Sequence, residues 1–277
     1  MLPPQPIYFP PSKGRYTTTP DLLPITTDFG NGVLDSCLFQ LDENTPAFLK
    51  NKKHALATHP ERHFLREGFD AHTERAVCVL IAERLNTEWP AQFPDADALA
   101  AQSFSELCLL FPEDIAIVRR TAERGDWNAA LHICAPSHWP PEEKIGKGYA
   151  ATHEPVPGIE RQKAAAPSIV QLFVTRGPFV RFTWGISFDN RLNQHPALEK
   201  SPFDPSNLWL RIERQTLFPI PDADAALFAI RLHLYPINGL DTERRTLLSK
   251  ALDSMSEDAR SYKGIAGHFD RIQSVLQ

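Results

Sequence analysis

The chain has 277 residues, 42% hydrophobic and 23% charged, with a formal net charge of −5 and a pI near 6.1. That length allows one large domain or two small ones and buries a substantial core. The absence of a long basic block argues against a nucleic-acid partner, and no run reaches the ~20 apolar residues of a membrane helix. The opening "MLPPQPIYFPPSKGRY" has no charged stretch followed by an apolar one, so a secretory leader is not expected and the cytoplasm is the expected location. Cys37, Cys78, Cys108 and Cys134 show no C-x-x-C spacing and read as isolated, mostly buried thiols. Twenty-five prolines against thirteen glycines predict stiff turns and extended connections.

In chain order, residues 1–30 read as an extended Pro- and Thr-rich arm, and "GVLDSCLFQLD" (32–42) as a short strand. "HALATHPERHFLRE" reads as a solvated helix start. In "DAHTERAVCVLIAERLNTEWP" (70–90), Ala76, Val77, Leu80, Ile81 and Leu85 make one apolar helical stripe that Pro90 ends. "FSELCLLF" (104–111) fits a helix end or a short strand. The period then changes. Ile115, Ile117, Leu131 and Ile133 alternate, so 113–136 reads as a hairpin turning near Gly125–Asp126. One proline-opened helical turn (140–146) and a helix over 160–175 follow. Strands are expected at 178–188, 207–220 and 225–237, the last two joined through the short turn "PDAD". Helices 241–255 and 256–276 close the chain. Five consecutive antiparallel strands with segregated helices make an α+β layout, read as one domain over 1–277 with an N-terminal arm and a helical tail.

No phosphate loop, G-x-S-x-G elbow or H-E-x-x-H motif is present. His59, His63 and Glu67 share helical spacing but sit in a polar, proline-interrupted stretch that favours a solvated helix start. His132, His138 and His153 lack the short pair spacing of zinc sites. His153 lies in "GYAATHEPVPGIER", where Glu154 and Val156 each precede a proline, so an extended chain is expected after it. Its imidazole is either a directed metal ligand or a turn histidine bonded to a carbonyl. On "LWLRIERQTLFPIP", Arg211, Glu213 and Gln215 share one strand face. That face is either a solvated edge with ion pairs or the wall of a polar pocket, with arginines for carboxylates and a glutamate for a cation or proton. Arg231 and His233 repeat the spacing on the next strand.

"CAPSHWPPEEKIG", "THEPVPG", "RIERQTLFPIP", "FAIR" and "YKG" together resemble the alpha-subunit family of heme-dependent oxidative N-demethylases. That family carries CFPS-x-W followed by KLG, then IH-x-PVPG, R-V-E-R-Q-T-L-x-x-LP, F-x-IR and YKG, with Ala135 here standing where it has phenylalanine. The resemblance covers about 104–265 and is looser in the N-terminal third. It implies a PAS-like fold around heme b and oxidative removal of a methyl group from a small secondary amine, with release of formaldehyde. Electrons would come from NADPH through partner flavin and iron–sulfur components. It makes His153, inside the best-matching motif, the expected iron ligand. Arg211, Arg214 and Arg231 become candidates for the heme propionates, and Glu213 for the amine. Alternation sets Arg214 opposite Arg211 and Glu213, so without a bulge the three cannot face one pocket. A heme-binding PAS-like sensor and a non-catalytic interaction subunit are the other functions left open.

Overall fold

The computed structural model describes residues 5–19 and 21–277; residues 1–4 and 20 of the expected arm lie outside the described residues. Among the described residues, seven strands form one antiparallel sheet: β1 (Leu23–Pro24), β2 (Phe64–Arg66), β3 (Asp114–Thr121), β4 (Gly125–His132), β5 (Phe179–Ser187), β6 (Trp209–Ile220) and β7 (Ala225–Pro236). Their spatial order is β1-β5-β6-β7-β3-β4-β2. The two edges are the shortest strands, which leaves little unpaired backbone to recruit another chain. The expected hairpins form. β3 pairs with β4 around a bulge at Ile117/Val118, and β6 pairs with β7 in unbroken register from Trp209↔Pro236 to Ile220↔Ala225.

One face of the sheet packs on helix Ala71–Glu88, whose N-cap Asp70 accepts the Thr73 N–H. Val77, Ile81 and Leu85 are fully buried there, each worth roughly 1.5–3 kcal/mol of transfer free energy. The helix stops one residue before Trp89, because the residue preceding Pro90 is pushed out of the helical region. Short helix Phe104–Leu107, opened by a capping box from Ser103 and Glu106, joins the same core. At the other end of the sheet, helices Thr242–Asp253, Glu257–Tyr262 and Phe269–Leu276 pack on Trp184, Ile186, Leu210 and Ile212.

Three local expectations are corrected and one is refined. Residues 32–42 are not a strand: Gly32–Ser36 is a 3-10 turn. The Leu38 and Phe39 N–H groups donate to the Glu88 carboxylate and that of Gln40 to Glu113, so side chains take the bonds a strand partner would take. The segment from His54 first ends a helix, Thr45–Thr58, and then starts a short one as expected: His59 is the C-cap of the first and the N-cap of Pro60–His63. Helix 160–175 divides into Glu160–Ala164 and Ala166–Thr175, since Pro167 has no N–H for the continuing bond. The tail divides at Gly264, whose φ of +72° closes Glu257–Tyr262 before Phe269–Leu276 begins.

Candidate functional site

On the sheet face away from helix Ala71–Glu88, a cavity of about 1170 Å³ opens against β5, β6, β7 and β3. This exceeds the roughly 300–1,000 Å³ of ordinary small-molecule pockets. Leu217, Ala226, Phe228 and Ile230 give its floor an apolar half, while Arg211, Glu213, Gln215, Arg181 and Thr183 give it a polar half. Residues 137–144, helix Tyr149–Thr152 with His153, and arm residues 7–19 form the other walls, together with Tyr262 and Lys263.

Strand pairing builds the polar half. Thr183 lies opposite Glu213, and Arg181 opposite Gln215. The Glu213 carboxylate accepts from Ser137 Oγ (2.5 Å), Thr183 Oγ1 (3.1 Å) and Gln215 Nε2 (2.7 Å). Ser137 is held in turn by Arg211 Nε at 2.8 Å. Arg211 also donates to the carbonyls of Arg191, Ala135 and Leu192, so four of its five N–H donors are taken. Burial pulls its guanidinium down to about 10, and it keeps its charge at neutral pH.

His153 follows helix Tyr149–Thr152. Its Nδ1 lies 2.8 Å from the Tyr149 carbonyl, and its ring lies 4.3 Å from the Tyr149 ring. A carbonyl can only accept, so Nδ1 carries the proton and Nε2 keeps its lone pair, the arrangement common to metal-bound histidines. Nε2 has no hydrogen-bond partner among the described residues, and His153 lines the cavity. Burial lowers its pKa, which favours the neutral ring. The chain beyond it is not extended as expected. Val156 N–H bonds the His153 carbonyl at 2.9 Å, a turn with Pro155 inside it.

Two of the arginines marked from sequence stand elsewhere. Arg214 and Arg231 are cross-strand partners on the opposite face, each 1% exposed. Arg214 donates to the carbonyls of Asp35 and Cys37, and Arg231 pairs with Asp42 at 2.7 Å over the Phe48 ring. The structure therefore brings together His153, Arg211 and Glu213, and separates Arg214 and Arg231 from them. Sequence reasoning passed over Arg181, Thr183, Ser137 and Lys263. The alternation of Arg181 and Thr183 in "PFVRFTWGISF" was the available signal.

Among the described residues, the other histidines marked from sequence make no second centre. His63 Nδ1 donates to the Ile133 carbonyl, His59 contacts Glu61, and Glu67 pairs with Arg124. His138 joins the cavity wall, while His132 is fully buried. Asp114, His132 and Cys134 do lie within 4.8 Å of one another. The Lys52 ammonium opposes a cation there: its charge acts on all three groups, and its own donors hold the Cys108, Phe111 and Glu113 carbonyls.

An antiparallel α+β protein with a large half-apolar cavity, a free imidazole nitrogen and a half-buried hydrogen-bonded carboxylate belongs to the class that holds a sizeable cofactor or ligand. The chain matches the haem-dependent oxidative N-demethylase, alpha subunit-like family over residues 33–272, and it belongs to that family. No curated protein matches it. Among the described residues, no helix is long and apolar enough to cross a membrane.

Proposed function

We propose that the cavity holds heme b in a PAS-like sheet-and-helix setting, with His153 Nε2 as the iron ligand, and that the protein demethylates a small secondary amine. One observation carries this reading: an imidazole tautomer fixed by the Tyr149 carbonyl leaves a lone pair beside a cavity of about 1170 Å³. The donor set fits the cofactor, because neutral imidazole is a common axial ligand and the apolar floor suits a porphyrin face. Heme would supply the oxidising chemistry on oxygen.

The chain's own residues do the rest. Glu213 receives the protonated amine. Its two oxygens offer about four acceptor positions, and three are already filled, so one remains for an ammonium N–H. Ser137, fixed by Arg211, keeps that carboxylate from rotating. Phe228 and Leu217 cover the alkyl side and exclude water. Electrons from NADPH arrive through partner flavin and iron–sulfur components, and the product of methyl removal is formaldehyde.

The test is the visible spectrum of protein purified from heme-sufficient cells. A Soret band that His153→Ala diminishes and His138→Ala leaves intact is the expected result. Colourless protein that also refuses added hemin ends the heme reading, and an unchanged band in His153→Ala moves the ligand to another residue.

A further inference from the structure

Arg181 and Lys263 stand in the cavity wall with donors to spare. Arg181 pairs with no carboxylate among the described residues, and its Nε is buried without a partner. The charges it feels most are those of Tyr149, Glu213 and Asp21. Lys263 gives the Trp184 carbonyl one N–H at 2.8 Å and has two more. Glu213 does not neutralise either cation by contact, since its hydrogen bonds come from Ser137, Thr183 and Gln215. Arg181, Arg211 and Lys263 thus stand on the Glu213 side of a partly apolar space, and none of them is in salt-bridge contact with that carboxylate among the described residues. Shielding charge from water without a partner is costly, and Arg211 alone of the three is satisfied by the protein's own carbonyls.

We propose that Arg181 and Lys263 form a carboxylate-binding site in the cavity wall. Two ligands could bring such a carboxylate: a heme propionate, which rests on the reading above, or the acid group of an N-methylated amino acid. In either case Arg181 offers a planar fork of donors and Lys263 a point charge, on the side of the cavity where Glu213 lies.

The variants are Arg181→Gln and Lys263→Met, each read by binding to heme-free protein and by thermal midpoint. If the carboxylate is a propionate, each variant binds hemin about tenfold more weakly, the worth of one charge-assisted contact. Hemin dimethyl ester, which lacks both charges, then binds wild type and variants alike. If the carboxylate is on the amine, hemin affinity holds. The variants then lose the midpoint rise given by N-methylglycine and keep that given by dimethylamine. Succinate serves as a probe that needs no heme: it raises the wild-type midpoint and not that of the variants. Wild type that takes up no hemin sinks the heme reading, and the succinate arm still decides the carboxylate site. Equal binding of hemin, N-methylglycine and succinate by wild type and variants overturns the proposal. So does an Arg181→Gln midpoint several degrees below wild type without ligand, because a side chain with no protein partner should not be holding the fold.

Discussion

The two faces of β6 each carry a buried arginine and do different things. On the cavity face stand Arg211, Glu213 and Gln215; on the opposite face stand Ile212, Arg214 and Thr216. Both arginines are almost fully buried, 4% and 1% exposed. Arg214 fastens residues 35–37 to the sheet through two carbonyls, and Arg211 fastens residues 135–137 and 191–192 through four acceptors. Arg211 has one donor left, and Arg214 keeps Nε and Nη1 unpartnered but faces away from the cavity. The cation with a buried open donor on the cavity side is Arg181 on the neighbouring strand. Burial and charge therefore do not mark a binding arginine; open donors on the cavity face do.

The contrast predicts a graded set of losses. Arg211→Leu should cost the most, on the order of 4 kcal/mol by urea denaturation, because three carbonyls and Ser137 lose their donor together. A loss under 1 kcal/mol would mean that these contacts do not hold the loops. Arg214→Met should cost about 3 kcal/mol and leave ligand uptake per folded molecule unchanged. Weakened ligand uptake in that variant would erase the distinction between the faces.

Glu213→Gln should act on binding instead. Amine affinity, read from the visible spectral shift on titration, should fall by about 10- to 150-fold for a lost charge-assisted contact, with stability within about 1 kcal/mol of wild type. Unfolding at lower temperature with unaltered amine affinity would make Glu213 a structural residue.

The smallest expected effect belongs to the end of β4, where His132 is fully buried and burial holds its pKa well below the usual value. The unfolded chain gains a proton near pH 6.5 and the folded one does not. Stability is thus present above that pH and is lost as pH falls, by up to about 1.4 kcal/mol per pH unit. Glu113 and Asp114, raised by burial, act in the other sense on acidification. Comparing the pH slope of wild type with that of His132→Leu isolates the histidine; equal slopes below pH 6 would refute its role.

Much of this architecture could be read from side-chain period. Helix Ala71–Glu88 announces itself because it buries one stripe, so apolar residues recur at 3.6, while β3 through β7 show as alternating or continuous apolar runs bounded by turn residues, with β4, β6 and β7 buried on both faces. Helix Thr45–Thr58 was illegible for the opposite reason. It buries Phe48, Lys52 and Ala55 and leaves most of its length polar, and nothing local reveals that Lys52 will cap three carbonyls far along the chain. The cavity was half legible. Motif order pointed to His153, and alternation grouped Arg211 with Glu213. Ser137, Arg181 and Lys263 arrive from separate elements, and only the pairing of β5 with β6 and the docking of the tail bring them together.

The unbroken pairing of β6 with β7 makes the turn at Pro221–Asp224 a switch point for gene-level change. Side chains alternate strictly, so one residue inserted or deleted there, if absorbed by sliding β7, would exchange the contents of its two faces. Arg231 would swing toward the cavity, and Phe228 and Ile230 would leave its floor. The connection between β5 and β6 spans residues 188–208, mostly without regular structure, and outside the 191–194 stretch that holds Arg211 and Ser137 it can take up length without altering the strand register. Length variation among related chains should therefore collect in that connection and be purged from the tight turn, so that an aligner placing a gap at 221–224 has found either a compensating bulge or a different ligand chamber.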